Sequence, residues 1–439
     1  MKNAAQNLLT TIAGRPVLVW GARMTGIGFL RFAKTHGVNV VGFVDSDAAL
    51  AGWTISGLPI DLPDVIPSLK KKHQDLVVLV AVSIKEDEIA AALKEFGMPD
   101  GDIIRYSGFC GAFFTIDVAG TCNLRCPSCA YTVDGIKNPM GLMPFDDFQR
   151  IMEKVVDETD LVSHVCLYSW GEPLLHPELG LFIEHLHSLG IAAAVSTHLS
   201  IPSQERIEKM IKADPDFLKI SVSGFYPGAY NTTHTGGDIE LVKSNLRLVR
   251  ILIDKYQSSM FVDVNYHMYR NNIGEDLEKM KELCAELGFI FSPCYANVTP
   301  VERLIDYAEG RPDAAMRTLE DLLLVGVDKG LEIAAPYNNQ PCRFRTNQVN
   351  INWDRSVSLC CVCFERKTST ICDDFLAESL AEITQKKENH PMCKKCMPHA
   401  IPPYLLGVNQ KEWEKEARKN RAPRDVSAVE ARPPTRKTP

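Results

Sequence analysis

Phe113-Phe114-Thr115-Ile116-Asp117-Val118 runs through Ala119-Gly120-Thr121 into Cys122-Asn123-Leu124-Arg125-Cys126-Pro127-Ser128-Cys129. The first six residues form an apolar run that reads as a strand. Directly after it, three cysteines share one short loop in the spacing C-x3-C-x2-C. Three thiolates placed this way can ligate three irons of a 4Fe-4S cube, thiolate being the usual ligand of such clusters. The fourth iron then keeps an open coordination site, which is what lets a metal centre bind and activate a substrate. Structural zinc is the competing explanation of the spacing. It usually takes four ligands in paired C-x2-C form, which this loop fits poorly.

Downstream of the loop the pattern predicts strands over 164–168, 192–196, 217–223 and 261–267. Helices are predicted between them, for example over 145–157, 177–189 and 238–255. The repeated βα unit implies a partial parallel (β/α) barrel over 111–330. Alternate residues of a barrel strand point inward. On 217–223 that sets Lys219, Ser221 and Ser223 against Ile220 and Val222. On 261–267 it sets Asp263, Asn265 and His267 against Val262, Val264 and Tyr266. The polar sets should line the interior, and Ser196 and His198 end another strand near the same mouth.

Upstream, residues 1–110 alternate strands (16–20, 38–44, 76–82) with helices (25–35, 87–96). This predicts a small doubly wound sheet of Rossmann-like type. Its nucleotide fingerprint is damaged. With Gly21 as the first glycine of G-x-G-x-x-G, Arg23 takes the second position and Gly26 the third. The second glycine normally lets the backbone approach a pyrophosphate. Arg23 could itself take a phosphate, and Asp45 sits about where a ribose-binding acid would be. A docking or scaffolding domain is the plainer reading.

The cysteine loop and the segment Trp170-Gly171-Glu172-Pro173-Leu174-Leu175-His176-Pro177 together resemble the radical S-adenosylmethionine (SAM) superfamily. That family carries a G-G-E-P segment after its second barrel strand for the SAM amino group. Here Trp170 replaces the first glycine, and Ser128 stands where an aromatic often contacts adenine. The resemblance implies a 4Fe-4S cluster on Cys122, Cys126 and Cys129 whose open iron chelates SAM. The reduced cluster would cleave SAM to methionine and a 5′-deoxyadenosyl radical that abstracts a substrate hydrogen. It also implies SAM contacts from Gly171, Glu172 and Pro173, and places Ser196 with Ser221 or Ser223 near the SAM ribose or carboxylate.

Residues 331–409 hold a second cysteine group: Cys342, Cys360, Cys361, Cys363, Cys372, Cys393 and Cys396. A hairpin-like stretch surrounds Cys360, and Cys393-Lys394-Lys395-Cys396 is a C-x2-C pair. This resembles the SPASM and twitch extensions of radical SAM enzymes, which carry auxiliary 4Fe-4S clusters. One auxiliary cluster is implied, drawn from Cys342, Cys360, Cys393 and Cys396. Four thiolates would also suit zinc. Cys110, Cys166, Cys284 and Cys294 are isolated and read as small buried hydrophobes. Residues 410–439 are rich in charge and are expected to stay disordered beyond a short helix.

The chain has 439 residues, 45% hydrophobic and 23% charged, with net charge −7. It has no apolar run of membrane-spanning length and no secretory pattern at its start, so a cytoplasmic protein is expected. The negative charge gives no general attraction to nucleic acid or membrane. Fourteen cysteines in a reducing compartment point to metal rather than disulfides. The expected enzyme is a radical SAM oxidoreductase or relative acting on a small polar or sugar-like substrate. Its electrons would come from a reductant such as flavodoxin or ferredoxin. The alternatives are a maturase of a ribosomally made peptide and, in another class, a zinc-stabilised binding protein.

Overall fold

Strands β1 (Val17–Trp20), β2 (Val40–Val44) and β5 (Val77–Val80) are short apolar runs, as strands covered on both faces must be. They pair in parallel, and with β3 (Thr54–Ile55), β4 (Leu58–Asp61) and β6 (Ile103–Arg105) give the order β3-β4-β2-β1-β5-β6. A computed structural model describes residues 3–111, 113–133, 135–339 and 341–421 of the chain.

The second sheet begins at β7 (Phe113–Ile116). It continues through β8 (His164–Cys166), β9 (Ala192–Thr197), β10 (Phe217–Val222), β11 (Phe261–Met268) and β12 (Ile290–Tyr295), each parallel to its neighbour. Beyond β7 the sheet takes up β13 (Gln348–Ile351), β14 (Val357–Ser358) and β15 (Thr370–Cys372). β13 lies parallel to β7, and β13 and β14 form the antiparallel pair expected around Cys360. The cysteine-rich C-terminal segment thus extends the sheet that starts with the cysteine loop.

The inward alternation divides at a definite height. Leu218, Ile220, Val222, Val262, Val264 and Tyr266 face outward into the core beneath the helices. On the inward face Phe217, Phe261 and Ile290, which begin their strands, pack together with Cys166 and Ala194 against Ile27, Phe29 and Phe32. The helix Met24–Thr35 therefore forms a floor beneath that part of the sheet. Gly28 permits this approach: a Cβ there would lie 2.1 Å from the carbonyl oxygen of Ser163. Arg31 Nε donates to Asp216 Oδ1 at 2.7 Å across the same junction. Above the floor the inward residues are polar, with Ser196, Lys219, Ser221, Asn265 and His267 partly accessible and Asp263 buried.

Past residue 409, Gln410–Lys419 is a helix whose Trp413 is buried against Tyr295 and Tyr404. The rest of the expected disordered tail, 422–439, lies outside the described residues. Among the described residues no helix is long and apolar enough to cross a membrane.

Candidate active site

The cysteine loop leaves β7 with its backbone tied down on every side. Cys129 N–H donates to the Cys126 carbonyl at 2.9 Å, and Arg125 N–H to that of Thr235 at 2.9 Å. The Thr132 hydroxyl donates to the Cys129 carbonyl at 2.7 Å. Arg303 Nη1 donates to the Pro127 carbonyl at 2.9 Å and the Thr299 hydroxyl to that of Ser128 at 2.7 Å. Leu124 is buried and anchors the loop from within. As residues the three cysteines are half-buried.

Burial pushes the Cys122 thiol up to about 12 and raises those of Cys126 and Cys129 as well. Neighbouring sulfurs raise Cys122 and Cys126 further, because a second thiolate nearby repels the first, whereas Arg303 and Arg125 pull Cys129 down against its burial. Three such sulfurs become thiolates together only with a cation among them, a condition that iron meets. Among the described residues no three Cys, His, Asp or Glu side chains converge as ligands of one metal ion. A cube does not ask for that convergence, since each thiolate takes a different iron.

The segment after β8 lies directly over this loop. Glu172 N–H donates to the Thr121 carbonyl at 2.8 Å. Gly171 sits so close that a Cβ would fall 1.5 Å from the Ala119 carbonyl oxygen. The Glu172 carboxylate is buried and bonded within the fold. Oε1 accepts from Leu174 N–H at 2.9 Å and Oε2 from His198 N–H at 3.0 Å. Pro173 opens the 3-10 turn Pro173–Leu175. Asp117, one residue past β7, faces the backbone N–H groups of Trp170, Gly171 and Ser169. Burial outweighs their pull and lifts its carboxyl to about 7. Asp117 was not singled out in the sequence, although polar Thr115 and Asp117 alternate in an otherwise apolar run.

Ser196 and Ser221 lie on the inward faces of β9 and β10, with Ser196 in register with Lys219 and Ser221 with Asn265. Ser223 differs. It is fully buried, and its hydroxyl is engaged by Thr233 and by His234 Nδ1, the latter at 2.6 Å. A cavity of about 540 Å³ opens between the cysteine loop and the barrel interior. Ser128 and Trp170 border it on one side, Lys219, Asn265 and His267 on another, and Trp413 closes it from the C-terminal helix. Cys294 lines this cavity too, so it is not the buried filler expected of an isolated cysteine. Its place on the inward face of β12 is the reason. Burial, and then the charge of Lys219, lower His267 to about 4.

In the C-terminal segment Cys342, Cys360, Cys393 and Cys396 line one small, largely apolar void, and Cys363 joins them. Cys360 Sγ and Cys363 Sγ are 3.4 Å apart. Cys361 and Cys372 do not line it. Lys387 is buried beside this group with its Nζ on the Gln348 carbonyl. Burial lowers its ammonium to about 8, against the opposing effect of the Cys360, Cys361, Cys393 and Cys342 sulfurs. A buried cation next to four thiols suits an anionic thiolate centre.

The N-terminal domain has a cleft of about 670 Å³ at the fingerprint turn. Gly21 has φ +115, and a Cβ on Gly26 would lie 1.9 Å from the Gly21 carbonyl oxygen, so both glycines are demanded by packing. Arg23 is not available to a phosphate as the sequence suggested. Its guanidinium pairs with Asp263 of β11 and, at 2.9 Å, with Asp47. Asp45 Oδ2 accepts the Ala22 N–H at 2.9 Å, a donor that a pyrophosphate would need. Titrating the full-length chain with NAD in a calorimeter is expected to give no binding in the micromolar range. A micromolar constant would show that the cleft rearranges.

The site thus joins a run of six parallel strands to a three-thiol loop at the end of the first of them. Residues 116–284 match the sequence model of the Radical SAM superfamily. Two curated relatives are S-adenosyl-L-methionine-dependent tRNA 4-demethylwyosine synthases. That of Pyrococcus horikoshii is 31% identical over 87 residues, 19% of this chain and 25% of its own length. That of Pyrococcus abyssi is 30% identical with the same coverage. The match thus spans about a quarter of either relative. Among solved structures, Streptococcus suis SuiB bound to S-adenosylmethionine aligns with TM-score 0.43 at 13% identity, over 77% of this chain and 84% of that one. BtrN in complex with AdoMet and 2-DOIA aligns with TM-score 0.35 at 13% identity, over 66% and 88%.

Proposed function

We infer that the chain reductively cleaves SAM and uses the resulting radical to take hydrogen from a small polar or sugar-like substrate. Oxidation, or another rearrangement assisted by one auxiliary cluster, would follow. The observation that carries this reading is the cavity wall. Ser128, between two of the loop cysteines, and the polar interior residues Lys219, Asn265 and His267 border the same space. A 4Fe-4S cluster on Cys122, Cys126 and Cys129 would supply an open iron for the SAM amino and carboxylate groups and the electron that cleaves it.

The chain's own residues then have distinct tasks. Gly171 lets the loop approach the cluster strand, Glu172 fixes the loop's shape through the two backbone N–H groups its carboxylate accepts from, and Pro173 starts the turn that presents it. Ser196 and Ser221 offer hydroxyls to SAM from the inward face, whereas Ser223 holds His234. His267, lowered to about 4, is neutral near pH 7 and can accept or donate a hydrogen bond to a substrate hydroxyl without charge. Among the described lining residues Lys219 is the one cation and no carboxylate is present, so the interior suits hydroxyl and carbonyl groups. Trp413 and the helix floor keep bulk water from a reactive radical. Cys342, Cys360, Cys393 and Cys396 would hold the auxiliary cluster, and a flavodoxin- or ferredoxin-type protein would supply electrons.

Iron and sulfide analysis of anaerobically reconstituted protein tests the reading against a zinc-stabilised binding protein. About eight irons per chain are expected for two cubes. Zinc without iron would overturn the assignment, and a co-purifying precursor peptide would shift the substrate to the maturase class. Gly171→Ala is expected to weaken SAM binding, since overpacking typically costs about 1–3 kcal/mol. Iron content should stay unchanged. Equilibrium dialysis with labelled SAM reads the first and an iron assay the second. Undiminished SAM binding would separate Gly171 from the SAM site.

A further inference from the structure

We propose that Lys219 is an anion subsite: the interior takes a hydroxylated substrate that also carries a carboxylate or phosphate, and Arg23 of the N-terminal domain keeps Lys219 free to receive it. The proposal deepens the functional reading above and rests on it. Lys219 stands on the inward face of β10 and borders the cavity of about 540 Å³ with Asn265 and His267. It is half-buried, and its ammonium makes no ion pair or hydrogen bond among the described residues. Its Nζ lies 6.0 Å from the centroid of the Tyr168 ring, the outer limit of a cation–π contact. The side chains that feel its charge, His267, Cys166 and Cys294, are all neutral near pH 7, so none of them supplies a counter-charge.

The acid placed to pair with Lys219 is Asp263. The two are in direct register on the adjacent parallel strands β10 and β11, and such strands lie about 4.8 Å apart. Asp263 is buried, and a buried carboxylate needs a cation. It takes that cation from another part of the chain. Arg23, just before the helix Met24–Thr35, reaches over the domain junction, and its Nη1 bonds Asp263 Oδ2. Its Nη2 donates to Ser292 Oγ of β12 at 3.3 Å and to Asp47 Oδ2 at 2.9 Å. Arg23 is thus fastened from both domains. With the charge of Asp263 met in this way, Lys219 stays without a partner in the cavity wall.

No contact within the fold uses the charge of Lys219, whereas an anionic ligand gains a charge-assisted hydrogen bond from it. Among the described lining residues no carboxylate repels such a ligand, and Ser128, Asn265 and neutral His267 remain for its hydroxyl groups. Two anions are available to this position, the carboxylate of SAM and an anionic group of the substrate. Height along the strand favours the substrate. Phe217, Lys219 and Ser221 follow one another on the inward face of β10, with Phe217 on the floor. The cysteine loop leaves the opposite ends of the parallel strands, directly after β7. Lys219 therefore lies one inward step deeper than Ser221, beneath the hydroxyl offered to SAM.

The test uses reconstituted full-length protein with SAM bound. Inorganic phosphate and glycolate are each titrated against chloride at constant ionic strength, and limiting acetic anhydride followed by mass spectrometry reads the reactivity of Lys219. At least one of the two anions should protect Lys219 saturably and leave exposed Lys394 unprotected. Arg23→Gln should weaken that anion about tenfold, because Asp263 then pairs with Lys219. Arg23→Gln/Asp263→Asn should restore the wild-type affinity, which a variant damaged in its fold would not do. Lys219→Met should bind SAM as tightly as wild type in anaerobic equilibrium dialysis. No protection by either anion would overturn the proposal. So would weakened SAM binding by Lys219→Met, which would give the subsite to the SAM carboxylate. Anion affinity unmoved by Arg23→Gln, or not restored in the double variant, would overturn the part assigned to Arg23. A wild type that holds two clusters but binds no SAM would instead defeat the functional reading beneath.

Discussion

A Cys126→Ala chain is expected to release no 5′-deoxyadenosine when reduced with dithionite in the presence of SAM. The reason lies in how firmly the loop is held. Pro127 and Ser128 are fastened through their carbonyls by Arg303 and Thr299, and Leu124 is buried, so the backbone does not move to bring in a substitute ligand. A cube short of one thiolate is lost or misplaced, and the open iron goes with it. The fold should survive, because Cys126 contributes to the loop mainly through its carbonyl, which Cys129 N–H and the Thr132 hydroxyl bond at 2.9 and 3.1 Å. The expected result is loss of product to background with a melting temperature within a few degrees of wild type. Undiminished 5′-deoxyadenosine would sink the ligand assignment.

The second large effect concerns iron. A chain with Cys122, Cys126 and Cys129 all changed to alanine should still bind about four irons, because the C-terminal void has its own complete thiol set. Adding Cys393→Ala and Cys396→Ala should remove them. The void keeps Cys342, Cys360 and Cys363 after that change, but the C-x2-C pair supplies half of the proposed ligands. Zinc in place of iron in the triple variant would contradict the auxiliary cluster and leave the assignment of the loop after β7 untouched.

Two of the central strands were legible because polar residues alternate with apolar ones along them. Strands expected over 217–223 and 261–267 appear as Phe217–Val222 and Phe261–Met268. The same alternation separated Lys219 and Asn265 from Ile220 and Val264. It did not say where the polar interior ends. Phe217 and Phe261 begin the inward faces with aromatic rings, and their partners, Phe29 and Phe32, lie far upstream in the chain. Nothing local to Gly28 marks it as the point where a helix meets the Ser163 backbone.

Site residues divide along the same line. The three loop cysteines stand out by contiguous spacing, and Gly171-Glu172-Pro173 by a contiguous resemblance to a superfamily motif. Ser223 was grouped with Ser221 by strand face, but the strand ends at Val222 and the next residue turns into a buried network with His234. Arg23 was weighed as a phosphate ligand because its partner Asp263 is 240 residues away and invisible to local pattern. Trp170 registered only as a departure from a motif. Its indole bonds the Cys363 carbonyl, 193 residues on.

The central claim is that an iron cluster on the loop after β7 binds SAM and splits it. Wild-type protein, reconstituted anaerobically with iron and sulfide, reduced with dithionite and given SAM, tests this most directly by chromatography of the products. 5′-Deoxyadenosine and methionine should accumulate slowly and in equal amounts, even without substrate. Intact SAM after prolonged incubation of protein that holds its full complement of iron would contradict the claim.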